Sequence, residues 1–527
     1  MVLPAPHDAE ANESRGRIRI AGMPLSAIAF LILTASIALL WSHYQLLWSD
    51  ELCAILTGSI SSLGRLIHIE LTAPISFDPI GYNALIHGVI YLFGASALAL
   101  RLPSMCGYLL MQVCLFYFVR RIATERAATF ALAFPAVVGI SFYSVQGRPY
   151  GLLLGLSALA MLSWQTATRR NSQRTGVLVV LSLSLALIVN TQYYGVLIFV
   201  PLCAAEAIRI LERRRLDTPV LVSIFVGMAG LFVAMPFARA LSSFSENHIN
   251  HKGVSFHFII HSYVWILVGY ANWSLFAQRV IGFSVALLLL VLIAGFAHFH
   301  SRITLRLPHA EGTFLFILSA YPVFAYLLAT FVTHFVETRY IQPALIGMTA
   351  LLAILMTPIL QNKRMGGIIL AMLFVAIAVM GGLHIRSEKE QTDRTMASMV
   401  LSPKTQRILQ AFPNQPIYTT DSSMFATIGH YSPNADLRSR ITLVYATPNY
   451  HKEDVGADVT RQLGNMQADG VPSIVSYAAV SSHGEKEVFL LYHNPWDGTD
   501  RALSDAHADI NYLGPAFGGD LVSVRFP

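Results

Sequence analysis

Residues 22–51, GMPLSAIAFLILTASIALLWSHYQLLWSDE, are an apolar run followed directly by a pair of carboxylates. The run from 22 to 41 matches a helix that crosses a bilayer, which needs about 20 apolar residues. It is longer than a signal-peptide core and no small-residue cleavage site follows, so we expect it to remain as the first span. Asp50 and Glu51 then lie just beyond a membrane exit, where charge is costly. This placement indicates chemistry rather than packing.

The composition is that of a membrane protein. Hydrophobic residues make up 54% of the 527 residues and charged residues 13%, about half the roughly 25% that is usual in soluble domains. The net charge is +6, but the basic residues stand in short loops between apolar runs. We therefore predict an α-helical polytopic membrane protein that works at the lipid bilayer and has no nucleic-acid partner.

Eleven apolar runs have about the length of a spanning helix. A further run, 79–94, is short and contains Asn83 and His87, so its length and polarity leave its placement ambiguous. The eleven runs are about 22–41, 102–119, 127–144, 150–167, 176–190, 194–210, 219–237, 277–297, 313–332, 340–360 and 366–384.

The distribution of basic residues decides whether 79–94 crosses the membrane. If it lies on the surface, clusters such as Arg120–Arg121, Arg169–Arg170 and Arg213–Arg215 fall on the cytoplasmic side, as the positive-inside rule requires. If it crosses, every later cluster is reversed. We therefore expect a multi-pass protein of the inner (plasma) membrane with about eleven spans, its N-terminus in the cytoplasm and its C-terminus outside.

The sequence predicts two domains that meet at about residue 385. Residues 1–385 form the transmembrane domain, with a long outer loop at 42–100 that carries surface helices at about 51–62 and 79–94. From 386 to 527 the composition is that of a soluble chain, and strand patterns alternate with helix patterns. We predict a small extracytoplasmic α/β domain there. Its predicted strands and helices are 417–420, 441–445, 472–480 and 488–492, and 397–411, 421–430 and 457–468.

Asp50 and Glu51 are the strongest catalytic candidates in the sequence. A carboxylate at an apolar rim can act as a general base or hold a divalent cation. It can also simply cap the helix that follows, because the helix dipole favours negative charge at the N-terminus. The sequence leaves these interpretations open, and it leaves the metal requirement unknown.

Arg148 and Arg339 are candidates for binding a phosphate. Each stands at the predicted outer end of a span, before Pro149 and Tyr340 respectively. A guanidinium offers paired donors to phosphate oxygens and stays charged beside lipid. The alternative is that both side chains only extend to the membrane interface. Similarly, Tyr193 and Tyr194 could hydrogen-bond a polar ligand or belong to the aromatic belt of the membrane.

Six short motifs follow one another at the ends of the apolar runs. They are Trp48-Ser49-Asp50-Glu51, Pro79-Ile80-Gly81-Tyr82, Arg101-Leu102-Pro103-Ser104, Gly147-Arg148-Pro149-Tyr150, Tyr193-Tyr194-Gly195, and Arg339-Tyr340 with Pro343. Their order and placement resemble the GT-C glycosyltransferases of the protein O-mannosyltransferase-like superfamily. That superfamily includes lipid A aminoarabinose transferases and rhizobial galacturonosyltransferases. The resemblance covers about residues 22–360.

The resemblance implies an enzyme that transfers a hexose or pentose from a polyprenyl-phosphate donor. The acceptor would be extracytoplasmic: a glycolipid, lipid A or its core in the lipopolysaccharide of the cell envelope, a polysaccharide or a protein. Asp50 and Glu51 would activate the acceptor or hold a divalent cation near the donor phosphate, which arginines would neutralise. Two departures from the family pattern stand out. Asp78-Pro79, whose Asp78 is a further candidate for substrate binding, stands where many members have His-Pro-Pro or Lys-Pro. Gln146-Gly147-Arg148 stands where some members have an Asp.

Two other functions compete with sugar transfer. A lipid-linked saccharide flippase or transporter would place polar residues at mid-bilayer in broken helices, whereas the polar groups here cluster at one face. A polysaccharide ligase would share the lipid donor, and it would more often have Arg and His residues in a large outer loop. The 238–276 loop has histidines but only Arg239.

The charge distribution predicts the sidedness of the protein. An alkaline phosphatase fused after residue 390 should be active, because we expect that position outside the cytoplasm. A fusion at residue 172 should be inactive. The reverse activity pattern would contradict both the topology and the outer placement of Asp50.

Overall fold

The computed structural model describes most of the membrane region and the greater part of the C-terminal domain. The described residues are 19–20, 22–72, 74–169, 174–245, 255–269, 307–399, 403–432, 434–445, 474–482, 487–492, 503–517 and 519–527.

Helices dominate the described residues between 25 and 398. A short hairpin, β1 Arg19–Ile20 and β2 Met23–Pro24, precedes them. The described helices are α1 Leu25–Tyr44, α2 Ser49–Gly58, α3 Leu63–Thr72, α4 Ile80–Phe93, α5 Ala97–Arg120, α6 Glu125–Ala133, α7 Tyr150–Arg169, α8 Thr175–Thr191, α9 Phe199–Arg213, α10 Thr218–Met228, α11 Gly230–Ser245, α12 His257–Val268, α13 His309–Ser319, α14 Tyr321–Leu328, α15 Ala344–Leu355, α16 Thr357–Gln361 and α17 Lys363–Ser398.

In the described part of the chain, six helices are long and apolar enough to cross a membrane, or seven if the bent pair α13 and α14 counts as one span. The predicted polytopic helical class is therefore confirmed. The count of eleven stays a prediction, because the predicted runs at 176–190 and 340–360 contain helices of 17 and 12 residues. The run at 277–297 lies outside the described residues.

The predicted span at 127–144 has an irregular second half. Helix α6 ends at Ala133, and two short 3-10 segments, Phe134–Val137 and Gly139–Val145, follow it. Pro135 explains the break, because proline has no N–H to continue an α-helical ladder. This irregular stretch leads directly into the Gly147-Arg148-Pro149 turn.

Helices α5 and α7 approach each other through small residues. A Cβ atom added at Gly107 would lie 2.4 Å from the Cα of Leu152, and one at Gly155 would lie 2.3 Å from the carbonyl oxygen of Gly107. Glycine at these two positions therefore lets the backbones touch, which is a common way for helices to associate within a bilayer. Arg101 and Arg148, at the same end of these two helices, are brought together by this packing.

The C-terminal domain contains a mixed sheet with helices packed against it. The described elements are β3 Ile417–Thr419, β4 Ile441–Tyr445, β5 Ile474–Ser476, β6 Glu487–Tyr492, β7 Asp509–Ala516 and β8 Gly519–Arg525, with α18 Pro403–Ala411, α19 Ser422–Tyr431, α20 Ala435–Arg440 and α21 Tyr477–Ser481. The sheet order is β5–β4–β3–β6–β8–β7; β3, β4, β5 and β6 run parallel, and β8 is antiparallel to β6 and β7.

This domain differs from the sequence-based expectation in some of its elements and at its boundary. The strand predicted at 472–480 continues as helix α21 after Ser476. Strands β7 and β8 were not predicted, although they form an antiparallel pair at one edge of the sheet. The helix predicted at 457–468 lies outside the described residues. Helix α17 continues to Ser398 across the predicted domain boundary at 385.

The loop between α1 and α5 folds into three short helices under the C-terminal domain. Helices α2 and α4 correspond to the helices predicted at about 51–62 and 79–94, and α3 is an additional helix between them. Ile69 and Ile75 share a buried cluster with Leu443 and Ile474 of the C-terminal domain. The loop therefore lies between the membrane helices and the sheet.

Glu70, on α3, is buried inside this loop, with 4% of its surface exposed. Burial, and to a smaller extent the nearby charge of Asp78, raise the pKa of its carboxyl group to about 8. Hydrogen bonds from the backbone of Ser76 and Ile75 act in the opposite direction. The carboxyl group is therefore mostly protonated at neutral pH in the folded protein.

This shift predicts a loss of stability with rising pH. Between the ordinary pKa of 4.5 and about 8, the unfolded chain releases a proton that the folded protein retains. The free energy of unfolding should then fall by up to about 1.4 kcal/mol per pH unit and level off above pH 8. Glu70→Gln, which mimics the neutral acid, should remove this slope. The thermal midpoint of the detergent-solubilised variant should then change less between pH 5 and 8 than that of the wild type.

Glu390→Gln is the matched control. Glu390 is exposed, and a hydrogen bond from Arg386 lowers its pKa, so it titrates below this pH window. The stability profile of this control should match that of the wild type. If Glu70→Gln also keeps the full wild-type slope, Glu70 is not the group that retains the proton.

Candidate functional site

The site is built around the first turn of α2, which contains Asp50 and Glu51. The helix dipole favours their negative charges at this N-terminus. The backbone N–H of Trp48 donates to Oε2 of Glu51 at 3.3 Å, so Glu51 caps its own helix, as the sequence allowed. Asp50 and Glu51 are consecutive, so their side chains leave the helix about 100° apart. They enter different surroundings for this reason.

Glu51 forms a buried ion pair with Arg101 of α5. Nε of Arg101 donates to Oε1 at 2.8 Å, and Nη2 donates to Oε2 at 2.7 Å. Both side chains are completely buried. The paired geometry matches the fork of a guanidinium to the two oxygens of a carboxylate.

Arg101 also fixes the turn that precedes α2. Its Nη1 donates to the carbonyl oxygens of Ser42 and Gln45, each at 2.9 Å, and its Nη2 donates to that of Leu46 at 3.1 Å. These carbonyls come from the end of α1 and the turn after it. One buried side chain therefore holds both the end of the first span and the start of the acidic helix.

The Gly147-Arg148 turn is attached to the same carboxylate. The backbone N–H of Gly147 donates to Oε1 of Glu51 at 2.5 Å. A Cβ atom at position 147 would lie 2.5 Å from Cγ of Leu100 and 3.1 Å from that Oε1. Glycine is required for this close approach, which places the next residue, Arg148, at the site.

Arg148 contacts two carboxylates. Its Nη1 lies 2.9 Å from Oδ2 of Asp78, and its Nη2 lies 3.7 Å from Oδ2 of Asp50. Asp78 is buried, and its carbonyl oxygen accepts a hydrogen bond from the side chain of Asn83 at 3.1 Å. Asp78 therefore orients Arg148 from the protein side.

Arg339 completes the cluster from the turn that precedes α15. Its Nη1 donates to Oδ2 of Asp50 at 3.0 Å. The side chains of Arg339 and Asp50 are 27% and 30% exposed, whereas those of Glu51 and Asp78 are 0% and 4% exposed. Of these three site carboxylates, Asp50 is thus the one that a substrate can reach.

Some donors of the cluster have no partner within the described residues. They are the Nε–H groups of Arg148 and Arg339 and the hydroxyl of Tyr82. Buried polar groups normally find a partner, so these donors indicate a place for a polar ligand. Tyr82 and the buried Tyr150, whose hydroxyl lies beside Arg148, were not among the predicted site residues.

The predicted Tyr193 and Tyr194 have different surroundings. The hydroxyl of Tyr194 donates to the carbonyl oxygen of Phe335 at 2.5 Å, and its ring stacks on Tyr340 at 5.3 Å between centroids. Tyr194 thereby supports the turn that carries Arg339. Tyr193 lies within electrostatic reach of Glu70 and Asp78. Tyr193 thus lies close to the carboxylates, whereas Tyr194 stabilises the neighbouring turn.

Arg101 is the residue whose importance the sequence analysis underrated. It appeared in a family motif but was not assigned to the site. The only sequence signal was an arginine at the start of an apolar run, where charge is costly. Its partner Glu51 is 50 positions away, so local patterns could not reveal the ion pair.

The described residues offer no group of three or more His, Cys, Asp or Glu side chains that could hold a metal ion. Asp50 and Asp78 each face arginine. The charges of this cluster are therefore arranged to receive an anion once a carboxylate moves away.

The chain resembles known proteins both in sequence and in fold. Residues 78–239 match the family model described as dolichyl-phosphate-mannose-protein mannosyltransferase. No curated protein matches the chain by sequence. The fold is similar to that of ArnT from Cupriavidus metallidurans bound to undecaprenyl phosphate, with a TM-score of 0.58, 12% identity, and coverage of 94% of this chain and 97% of that one.

The apo state of the same ArnT gives a TM-score of 0.57 and 13% identity, with coverage of 94% and 98%. At this identity the likeness shows the fold, and the family match at residues 78–239 adds the sequence signature. These residues include Asp78, Arg101 and Arg148. The resemblance recognised in the motifs is confirmed: the chain has an ArnT-like fold, and its residues 78–239 carry the sequence signature of the dolichyl-phosphate-mannose-protein mannosyltransferase family model.

Proposed function

We propose that the protein transfers a sugar from a polyprenyl-phosphate donor to the hydroxyl group of an extracytoplasmic acceptor. The observation that carries this proposal is the position of Asp50, partly exposed and held between Arg148 and Arg339. In this arrangement an accessible carboxylate, which can act as a base, contacts two guanidinium groups, which can bind an anion. The undecaprenyl phosphate in the ArnT of similar fold supports a donor of this class.

The donor phosphate would occupy the space between the two arginines. Each guanidinium has an Nε–H without a partner among the described residues, and arginine binds phosphate oxygens through paired donors. The phosphate would displace the carboxylate of Asp50 from the guanidinium groups. Asp78 would keep Arg148 in place during this exchange, because their 2.9 Å contact is on the buried side.

Displaced from the arginines, Asp50 would act as the general base. It accepts the proton of the acceptor hydroxyl while that oxygen bonds to the anomeric carbon of the sugar. The bond from that carbon to the phosphate oxygen breaks, and the polyprenyl phosphate leaves with the electron pair. Arg148 and Arg339 stabilise the charge that develops on the phosphate. Glu51, with both oxygens occupied, positions Asp50 rather than reacting.

The proposal also covers the orientation of the protein in the membrane and the class of its acceptor. We infer about eleven spans, with the N-terminus in the cytoplasm and the domain from residue 386 outside, in the inner membrane. The charge bias of the loops supports this orientation. The acceptor class remains a glycolipid, lipid A or its core, a polysaccharide or a protein. Mass spectrometry of envelope glycans and glycolipids with and without the gene would identify the product.

Asp50→Asn should abolish transfer while keeping the donor site. The gene-dependent envelope product should disappear, and the thermal midpoint of the purified protein should stay near that of the wild type, because the side chain is partly exposed. Undecaprenyl phosphate should bind up to about fivefold more tightly, since a competing ion pair of about 0.2–1 kcal/mol is removed. Near-normal product, or much weaker phosphate binding, would contradict the role of Asp50 as base.

Arg339→Ala should weaken the binding of undecaprenyl phosphate in nanodiscs by about tenfold to a hundredfold. A charge-assisted hydrogen bond contributes about 1.5–3 kcal/mol, and about 1.4 kcal/mol corresponds to tenfold in affinity. Arg339→Lys should recover only part of this loss, because the charge remains without the fork. The control is Arg386→Ala, an exposed arginine on α17. Unchanged affinity in Arg339→Ala would remove this residue from the donor site.

A further inference from the structure

The turn between α1 and α2 depends on other parts of the chain for its hydrogen bonds. Residues 45–48 belong to no helix or strand, so their backbone groups need partners from elsewhere. Arg101 supplies donors for the carbonyl groups of Gln45 and Leu46. The N–H group of Leu47 needs an acceptor, which an arginine side chain cannot supply.

That acceptor comes from the C-terminal domain. The N–H of Leu47 donates to the hydroxyl oxygen of Tyr431 at 2.8 Å, across 384 positions of sequence. Tyr431 is the last residue of α19, and Leu47 is 3% exposed. The contact is therefore a specific, partly buried hydrogen bond rather than a surface encounter.

Apolar packing surrounds this hydrogen bond. Leu47 and Leu52 belong to one buried cluster with Tyr82, and Ala426 and Tyr431 of α19 pack against it. Thr392, near the end of α17, donates from Oγ1 to the carbonyl oxygen of Tyr44 at 2.6 Å. Two elements from the last third of the chain thus hold consecutive parts of the turn that leads to Asp50.

We propose that Tyr431 is a positioning residue for Asp50, so that the C-terminal domain is a structural part of the catalytic site. Leu47 lies three residues before Asp50, and α2 begins two residues after Leu47. A shift of this turn would move Asp50 relative to Arg148 and Arg339. Errors of about 1 Å in such a geometry can cost about a hundredfold in rate.

The proposal rests on the proposed transferase function, and Tyr431→Phe tests it. This change removes the acceptor oxygen and keeps the ring that packs against Leu47. The amount of gene-dependent envelope product per unit of protein should fall at least tenfold. The dissociation constant of undecaprenyl phosphate should stay within twofold, because Arg148 and Arg339 are not on the turn. A merely structural role would instead reduce the product and the fraction of protein that binds undecaprenyl phosphate in the same proportion.

Tyr418→Phe is the matched control, since Tyr418 is a buried tyrosine on β3 of the same domain and packs in a different cluster. It should leave product and binding unchanged. Thr392→Val, which removes the donor to Tyr44, should act in the same direction as Tyr431→Phe. Normal product from Tyr431→Phe would overturn the proposal.

Amide hydrogen exchange gives a readout that does not depend on activity. The peptide that covers residues 45–52 should exchange faster in Tyr431→Phe than in wild type, while a peptide from α5 should be unchanged. Unaltered exchange at 45–52 would overturn the proposal even if the product were lost. If wild-type cells show no gene-dependent product, the transferase function fails, and the exchange result still decides whether Tyr431 holds the turn.

Discussion

The buried ion pair between Glu51 and Arg101 is the interaction on which the rest of the site depends. Removing two charges from water is expensive, and the attraction between them compensates only when further hydrogen bonds satisfy both groups. Here Glu51 also accepts from Trp48 and Gly147, and Arg101 also donates to three carbonyl oxygens. Removing one partner would leave an uncompensated buried charge, at a cost of about 3–5 kcal/mol. The pair joins α1, α2, α5 and the Arg148 turn at one point.

The two adjacent carboxylates show how far the sequence could lead. Their position at a membrane exit was enough to select Asp50 and Glu51, but it could not separate their roles. The difference arises because neighbouring helical side chains point in different directions, so Glu51 meets Arg101 while Asp50 meets Arg148 and Arg339. Those partners lie between 50 and 289 positions away. Only the fold could show which carboxylate stays accessible.

The same reasoning explains which parts of the fold were predictable. Long apolar runs such as 102–119 and 150–167 correspond to α5 and α7, because hydrophobic length reports directly on the bilayer. The run at 127–144 is apolar in the same way, but Pro135 interrupts its helical hydrogen bonds. It therefore forms a short helix followed by irregular turns. In the C-terminal domain, β7 is mostly exposed. An exposed edge strand carries little of the apolar pattern that predicts strands, which accounts for its omission.

The length of α17 has a consequence for the geometry of the whole molecule. Its 36 residues span about 54 Å at 1.5 Å per residue, whereas the hydrocarbon core of a bilayer is about 30 Å thick. About 24 Å of rigid rod therefore extends past the lipid, and Thr392 meets the end of α1 within that part. The rod sets the height of the C-terminal sheet above the membrane. The helix is therefore a spacer between the bilayer and the sheet, and the three outer-loop helices occupy the space between them.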